Sequence, residues 1–591
     1  RIGVFAIQEL FHVVKQMELS VSDVDLFTGP VMGRPKSATF RTCDVVGLDT
    51  LIHVANGVKS NCPEDERNKV FQLPDFIVSM KKNNWLGSKS GQGFYKKTID
   101  ENRKKKILEL DLVNLKYKES KKSKYETIAK AKKVEKLSKR IQILFNGEDK
   151  AGEFYRKIFA GIFSYSACRT PEISDDIYSI DQAMKAGFGW EMGPFELWDA
   201  VGFQSGLKSI LASNLIVPDW IKNITDKESF SFYNSNQDGQ FFYNHSNTTF
   251  DLIPGFADTI SLNYLSQTNL VWKNKEASII NLGDGIINVA FHSKMNTIGS
   301  EILGALNYAI DLCEEGNYKG IVIANEGANF SAGANVGIIF MLAMEQEFEE
   351  LELAVKTFQD TTMRLRYSPI PIVAAPHGLT LGGGCEICLH ADKVIAHAET
   401  YMGLVEFGVG LIPGGGGTKE MALRFSDGLH PGDIRINRFR DNFLTIGQAK
   451  VSSSAKEAMD LGFLRRGTDE VIISKSNQIV YAKHACLQMV EEGYIQKNIR
   501  KDISVLGQEG LGIVYAGAHS MMSGNYMSKH DQLISEKLGY VLAGGDLSQI
   551  TEVSEQYLLD MERKAFIELC SERKTLERIQ SLLQTGKILR N

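Results

Sequence analysis

Nowhere in this 591-residue sequence do apolar residues run uninterrupted for the roughly 20 positions that a membrane-crossing helix requires. Nor does one sign of charge dominate. Lysine and arginine number 67 against 72 aspartates and glutamates, and the net charge of -5 gives no general attraction to nucleic acid or an anionic membrane. Cysteine is sparse. The eight residues, Cys43, Cys62, Cys168, Cys313, Cys385, Cys388, Cys486 and Cys570, are scattered, which argues against a disulfide scaffold and predicts a reduced, cytoplasmic setting. Cys385-x-x-Cys388-x-His390 mimics a metal or redox motif, but a structural zinc takes about four ligands and no second pair is present, so these read as packing residues. A strand–GxGxxG–helix unit is also lacking near the start; Gly91-Gln92-Gly93 and Gly510–Gly512 are without that context and read as turns. Asn244-His245-Ser246 and Asn247-Thr248-Thr249 match the glycosylation pattern by chance in a cytosolic chain. The chain opens at Arg1 rather than Met, so its N-terminus supports no targeting statement.

What is present is an ordinary globular composition, 43% hydrophobic and 24% charged, at a length that suits several domains. One stretch concentrates the chemistry, LGGGCEICLHADKVIAHAETYMGLVEFGVGLIPGGGGT from Leu381 to Thr418. The apolar strand Pro371–Ala375 leads to Gly382–Gly384 and then a short apolar run, which predicts a strand, a tight turn and a helix N-terminus. Glycine lets a ligand approach the backbone, and the free N–H groups of a first helical turn point toward it. Glu386 falls at the start of this helix. Glu406 follows the predicted strand Lys393–Ala396 and leads toward a second glycine turn, Gly414–Gly417. Two carboxylates aimed at a glycine-lined anion hole suit acid–base chemistry beside a carbonyl.

This segment resembles the crotonase, or enoyl-CoA hydratase, family, whose signature is a GGGCE turn and helix with a second glutamate before an IPGxGGT turn. The loop Phe330-Ser331-Ala332-Gly333-Ala334 resembles the family's F-[SA]-A-G-A loop. The resemblance implies hydration of a trans-2-enoyl-CoA thioester. The Ala334 and Gly383 N–H groups would receive the thioester oxygen, Glu386 and Glu406 would hold the water, and Glu406 would also give the proton to Cα. Gly414 matches a glycine whose backbone touches that water. Where many hydratases carry Asp and then Lys, this chain has Asn335 and Gly337, so CoA must be gripped elsewhere, with Lys294 as the candidate. Residues Phe340–Glu350 would line the acyl tunnel. An enoyl-CoA isomerase, a thioesterase and a non-catalytic acyl-CoA-binding or assembly subunit are the rival readings; the retained glutamate pair favours hydration.

Residues 1–97 read as helical, with Val4, Ile7, Phe11 and Val14 at helical spacing and His12 as a structural histidine. TGPVMGRPKSATFRTCDVVGLD within them resembles the C-terminal helical domain of 3-hydroxyacyl-CoA dehydrogenases. In that family the domain holds the acyl chain and makes the dimer contact, an NAD-binding domain precedes it, and an Asn comes just before the equivalent of Arg1. The resemblance therefore implies a parent protein that also oxidises 3-hydroxyacyl-CoA with NAD, a homodimer built through the helical domains and a thiolase partner. It further implies that this chain, lacking the NAD-binding domain, does not transfer hydride by itself. Hydration needs no cofactor, and CoA enters as part of the substrate.

Residues 98–147 are lysine-rich and read as a solvated linker with some helix, or as an attraction for the polyphosphate end of CoA. A faint internal repeat follows in 148–203: Phe40, Asp44 and Gly47 are echoed by Phe195, Asp199 and Gly202, with Asp and Gly expected to cap and turn helices. This makes 148–275 a second dehydrogenase-type helical domain plus a connection, with a hairpin turn at Asp238-Gly239. Residues 276–480 form the crotonase part. Residues 481–591 read as helical, with a stripe of Leu558, Met561, Ala565 and Leu569 packing on earlier elements. The fold expected is α plus α/β multidomain, with all-helical dehydrogenase-type domains, then a crotonase-like ββα spiral, then a helical C-terminus.

Overall fold

The computed structural model describes residues 1–99, 105–120, 123–224, 229–236, 239–255 and 259–591, and they fall into two compact units, Arg1–Phe256 and Ala257–Asn591. Each has its own apolar core.

The first unit is a duplicated structure. Its opening helix, Ile2–Met17, is buried on more sides than the Val4–Val14 spacing suggests: Phe5, Leu10, Phe11 and Val14 are all 1% exposed or less, while Val4 and Ile7 are half-buried. His12 Nε2 lies 3.0 Å from the Val70 carbonyl. The matching helix of the second copy is Lys150–Ile173, started by Asp149, whose side chain accepts from the Ala151 and Gly152 N–H groups. Phe5 stacks on Tyr165 with ring centroids 3.8 Å apart, joining the two helices.

The repeat continues in the turns. Phe40–Val46 and Pro194–Val201 are short helices that end at Gly47 (φ 102, ψ 126) and Gly202 (φ 96, ψ 129), nearly the same left-handed conformation that glycine alone adopts at little cost. Each copy then closes with a three-stranded antiparallel meander, β1 (Tyr95–Ile99), β2 (Lys105–Leu110) and β3 (Tyr117–Glu119) in the first, and β4 (Tyr233–Asn236), β5 (Gly239–Asn244) and β6 (Thr249–Leu252) in the second. Asp44 and Asp199 do not cap their own helices. Asp44 accepts from the Phe94 and Tyr95 N–H groups, and Asp199 from those of Phe232 and Tyr233, so each aspartate ties its helix to its meander.

The lysine-rich 98–147 segment is therefore not a bare linker. It supplies β2, β3 and the helices Glu126–Ala131 and Leu137–Phe145, and Leu110, Ile128, Ile141 and Leu144 are buried in the core. Its exposed strand faces carry the lysines, which is why composition reads it as solvated. The boundary drawn at 97 falls inside β1. Asp238 of the expected hairpin turn lies outside the described residues, though β4 and β5 pair as Asn236 with Gly239.

The second unit is built on a seven-stranded sheet with helices against it. β7 (Leu270–Lys273), β8 (Ala277–Gly283) and β9 (Ile286–Phe291) are antiparallel neighbours. Beyond β9 the sheet continues in parallel through β10 (Gly320–Ala324), β11 (Ile372–Ala375), β13 (Lys393–His397) and β15 (Glu470–Ile472). Continuous runs such as Ile321-Val322-Ile323 are buried on both faces, as parallel strands require. A second, two-stranded parallel sheet joins β12 (Gly378–Leu381) to β14 (Thr400–Gly403), with Gly378 opposite Thr400. The chain passes twice from the large sheet to the small one, β11 to β12 and β13 to β14, and both passes end beside the glycine turns. Neither β12 nor β14 was expected from the sequence. The C-terminal part is helical, as Gln508–Ser523, Lys529–Leu542, Glu555–Cys570 and Arg573–Thr585, but it also pairs β16 (Ile503–Val505) with β17 (Thr551–Val553).

Candidate active site

β12 delivers the chain to Gly382, whose φ of 50 and ψ of -124 lie outside the range of ordinary L residues. A Cβ there would lie 2.8 Å from Glu406 Oε1. The glycine is needed twice, for the turn and for the approach of the second carboxylate. The helix Gly383–His390 starts immediately after and carries Glu386, which is 3% exposed. β14 leads in the same way to the 3-10 turn Glu406–Val409, which starts with Glu406.

The loop before helix Val336–Met344 completes the pocket. Ser331 N–H bonds to Leu379 O, Ala332 N–H to Met295 O, Gly333 N–H to Ser331 Oγ, and Asn335 N–H to Ile298 O. Among the described residues the Ala334 N–H has no acceptor, and neither has that of Gly383 in the first turn of its helix. The two are neighbours: a Cβ on Gly383 would sit 3.2 Å from the Ala334 nitrogen. Two free donors fixed by a bonded loop and a helix start can receive negative charge without rearrangement. Asn335 Oδ1 caps the next helix at Gly337 N–H, 3.1 Å away, which accounts for the side chain at that departure from the hydratase pattern.

The second glycine turn grips Glu386. Gly415 and Gly417 N–H groups both donate to its Oε1 at 2.8 Å; Gly414, the residue singled out from sequence, donates to neither glutamate and lies against the Phe566 ring. Burial, Glu406 and Glu562 push the Glu386 carboxyl well above the usual range, against the pull of those two N–H groups. Burial pushes Glu406 up to about 7, Glu562 adding to the rise, while its own N–H and that of Val405 oppose it. Among the described residues, Glu406 Oε2 is buried with no hydrogen-bond partner. Two buried carboxylates, the charge of one raising the other, titrate as a pair and hold a single proton over an intermediate range of pH.

Lys294 is exposed, on the loop whose Met295 carbonyl binds the Ala332 N–H. In the predicted tunnel segment Phe340 is half-buried, while Met341 and Met344 are exposed at 50% and 56%. His390 belongs to no metal cluster among the described residues. Its Nδ1 meets the Glu386 carbonyl at 2.7 Å and its Nε2 meets Lys419 Nζ at 3.0 Å, so it is a neutral imidazole donating through Nδ1 and accepting at Nε2. Burial, with Lys419 beside it, lowers its pKa well below the usual value.

Two features were missed from sequence. Phe358 touches both glycine turns: Cβ atoms at Gly383 and Gly415 would strike its ring, so it walls the space beside the carboxylates. Glu562 is fully buried beside the second turn. The signal for it was present: position 562 lies inside the apolar stripe of its helix, four residues after Leu558 and three before Ala565.

The enoyl-CoA hydratase/isomerase family matches residues 281–425, and the 3-hydroxyacyl-CoA dehydrogenase C-terminal domain family matches residues 1–97 and 158–225. A Bacillus subtilis (strain 168) protein described as a "Probable 3-hydroxyacyl-CoA dehydrogenase" is 41% identical over 592 residues, covering 100% of this chain and 73% of that one. This chain belongs to the fused 3-hydroxyacyl-CoA dehydrogenase and enoyl-CoA hydratase family. The "Fatty acid oxidation complex subunit alpha" of Psychrobacter cryohalolentis is 29% identical over 159 residues, 25% of this chain and 21% of its own. The crystal structure of enoyl-CoA hydratase from Bacillus halodurans aligns at 17% identity with a TM-score of 0.36, over 52% of this chain and 100% of that one. The chain is a fatty-acid oxidation enzyme that combines a dehydrogenase-type helical region with a hydratase-type region. Among the described residues no helix is long and apolar enough to cross a membrane.

Proposed function

We propose that the second unit hydrates trans-2-enoyl-CoA to 3-hydroxyacyl-CoA. The observation that carries this reading is the pairing of two buried carboxylates, one with an unpaired oxygen, with two free N–H groups. The thioester oxygen accepts from the Ala334 and Gly383 N–H groups, and charge that builds on it as water attacks Cβ is met by those fixed dipoles. Losing one such donor costs about 3–4 kcal/mol of transition-state stabilisation. Glu386, held by two N–H groups, is the carboxylate that orients the water and takes its proton. Glu406, with no donor on Oε2, carries the proton that is delivered to Cα. An isomerase needs no second carboxylate to hold water, so the pair favours hydration. Lys294, an exposed cation beside the Met295 carbonyl that binds the Ala332 N–H, is the residue we propose for the phosphate end of CoA.

The dehydrogenase side of the family implies NAD. A dinucleotide pyrophosphate is held where a parallel strand enters a helix through a glycine turn. The described residues of the first unit form helices and antiparallel meanders, which do not fit that group, so no hydride step is assigned to them.

The test is hydration of crotonyl-CoA and of a longer trans-2-enoyl-CoA, followed by loss of the enoyl absorbance, for the protein and for Glu386→Gln and Glu406→Gln. Hydration lost in both variants supports the reading. Acyl-CoA binding without hydration by the unaltered protein would overturn it in favour of a binding subunit.

A further inference from the structure

The helix Glu555–Cys570 lies beyond the matched hydratase region, yet it sends a carboxylate to the second glycine turn. Glu562 is 0% exposed. Its Oε1 accepts from Gly416 N–H at 2.7 Å and from Gln359 Nε2 at 3.1 Å, and its Oε2 accepts from Lys419 N–H at 3.0 Å. Set beside the donors to Glu386, an alternation emerges. Gly415 and Gly417 donate to Glu386, while Gly416 and Lys419 donate to Glu562. The left-handed Gly416, φ 98, turns successive peptides to opposite sides, and one carboxylate waits on each side.

We propose that Glu562 is a positioning residue of the hydration site: by pinning the far side of the turn it fixes the two N–H groups that hold Glu386, and it brings a third buried carboxylate to the Glu386–Glu406 pair. The role rests on the hydration reading.

The groups around it support this. From helix Gly417–Asp427, Lys419 Nζ binds Glu555 Oε2 at 2.9 Å, Glu420 Oε2 at 3.1 Å and His390 Nε2, while Arg424 approaches Glu420 at 3.4 Å. From helix Phe348–Arg366, Arg366 binds Glu420 at 2.9 Å and Gln359 binds Glu562. Tyr367 donates to Glu555. On its own helix, Arg563 turns away to Asp560, Glu352 and Gln359 Oε1. Lys537 and Arg578 of the neighbouring helices are taken by Glu568 and Asp531. Burial raises the Glu562 carboxyl, while its three donors and the Lys419 ammonium pull it back. The ammonium already has two carboxylates, Glu420 and Glu555, leaving the charge of Glu562 to act on Glu386 and Glu406, both of which it raises.

The experiment uses the full chain. Crotonyl-CoA hydration is measured across pH for the protein and for Glu562→Gln, alongside isotope-edited infrared titration of the glutamate carboxyls without ligand. We expect Glu562→Gln to lower kcat roughly 10- to 100-fold with KM little changed. The ascending limb of the pH profile, and the matching carboxyl titration, should move about 1 pH unit lower. A fall in kcat with both titrations unmoved would make Glu562 a packing residue and overturn the proposal, as would an unchanged kcat. If Glu562→Gln does not fold, Gln359→Met removes one donor from Glu562 and should shift the limb the same way by less; no shift there also overturns it. Absence of hydration in the unaltered protein would sink the hydration reading, and the infrared titration would still decide whether Glu562 raises the pair.

Discussion

Each unit buries acidic side chains, and in both burial raises them, yet they do different work. In the first unit Asp181 is pushed up to about 8, chiefly by burial and also by Glu196, and in the second Glu406 is pushed up to about 7. The shifts alone do not tell scaffold from site. The donors do. Asp181 accepts from Phe195 N–H, Glu196 N–H and Tyr233 OH, and its repeat counterpart Asp25 accepts from Thr39, Phe40 and Arg41 N–H groups and Tyr95 OH. Both oxygens of each aspartate are occupied. Glu406 instead keeps Oε2 buried and unpaired, a cost of about 1–3 kcal/mol that a purely structural residue has no reason to carry. A raised carboxyl with every lone pair engaged is a joint in the fold, and one with an idle oxygen beside free N–H groups is a place for chemistry.

The sharpest way to break this contrast is by substitution on both sides of it. Glu386→Gln and Glu406→Gln should each reduce crotonyl-CoA hydration by roughly 10²–10⁴-fold, with the denaturation midpoint little changed. Gly382→Ala comes next. The new methyl meets Glu406 Oε1 at 2.8 Å in a backbone conformation with φ 50, so kcat should fall roughly 10²-fold through displacement of the carboxylate. Retained activity there would mean that Glu406 need not sit against the turn.

Asp181→Asn should do the reverse. It places an amide NH2 where backbone N–H groups and a tyrosine hydroxyl donate, costing the first unit about 1–3 kcal/mol, while hydration per folded molecule stays unchanged. Four of the five tryptophans, Trp85, Trp190, Trp198 and Trp220, lie in that unit, so denaturant unfolding followed by tryptophan fluorescence reports it. The smallest effect is a slope with pH. Asp181 rises from 3.8 to about 8 on folding, so the folded form binds the extra proton. The stability linked to it is fully present below pH 3.8 and is lost as pH rises through about 8. The same fluorescence titration at several pH values checks the sign, and Asp181→Asn should flatten that part of the curve.

Legibility in the sequence followed the same divide. Glu386 and Glu406 stood out beside glycine runs that mark their turns locally, the Ala334 loop stood out through its resemblance to a family motif, and the helix Gly383–His390 begins where those glycines place it. That Gly415 and Gly417 are the residues donating to Glu386 was not read, a matter of peptide orientation that glycine spacing does not encode. β12 and β14 stayed hidden because four-residue strands beside glycines carry too short an alternation to read. The meander β1–β3 was hidden by its half-exposed lysines. The duplication showed faintly at Phe40, Asp44 and Gly47, but its physical content, an aspartate reaching the N–H groups of a strand some 50 residues on, is a long-range contact no local pattern displays. Glu562 was overlooked for the same reason, as its partners lie 143 and 146 residues away in the chain.

The most direct test of the contrast is the pH dependence of kcat for crotonyl-CoA hydration. Burial raises both carboxyls, Glu406 to about 7, and they titrate as a unit: the pair passes from two protons to one as pH rises through about 7, and loses the last proton only at higher pH. One charged and one neutral carboxyl are needed together, so the rate should climb through about pH 7 and fall again on the alkaline side. A rate that is flat across neutral pH, with the protein folded throughout, would contradict the account: the glutamates would then be as silent as the aspartates of the first unit.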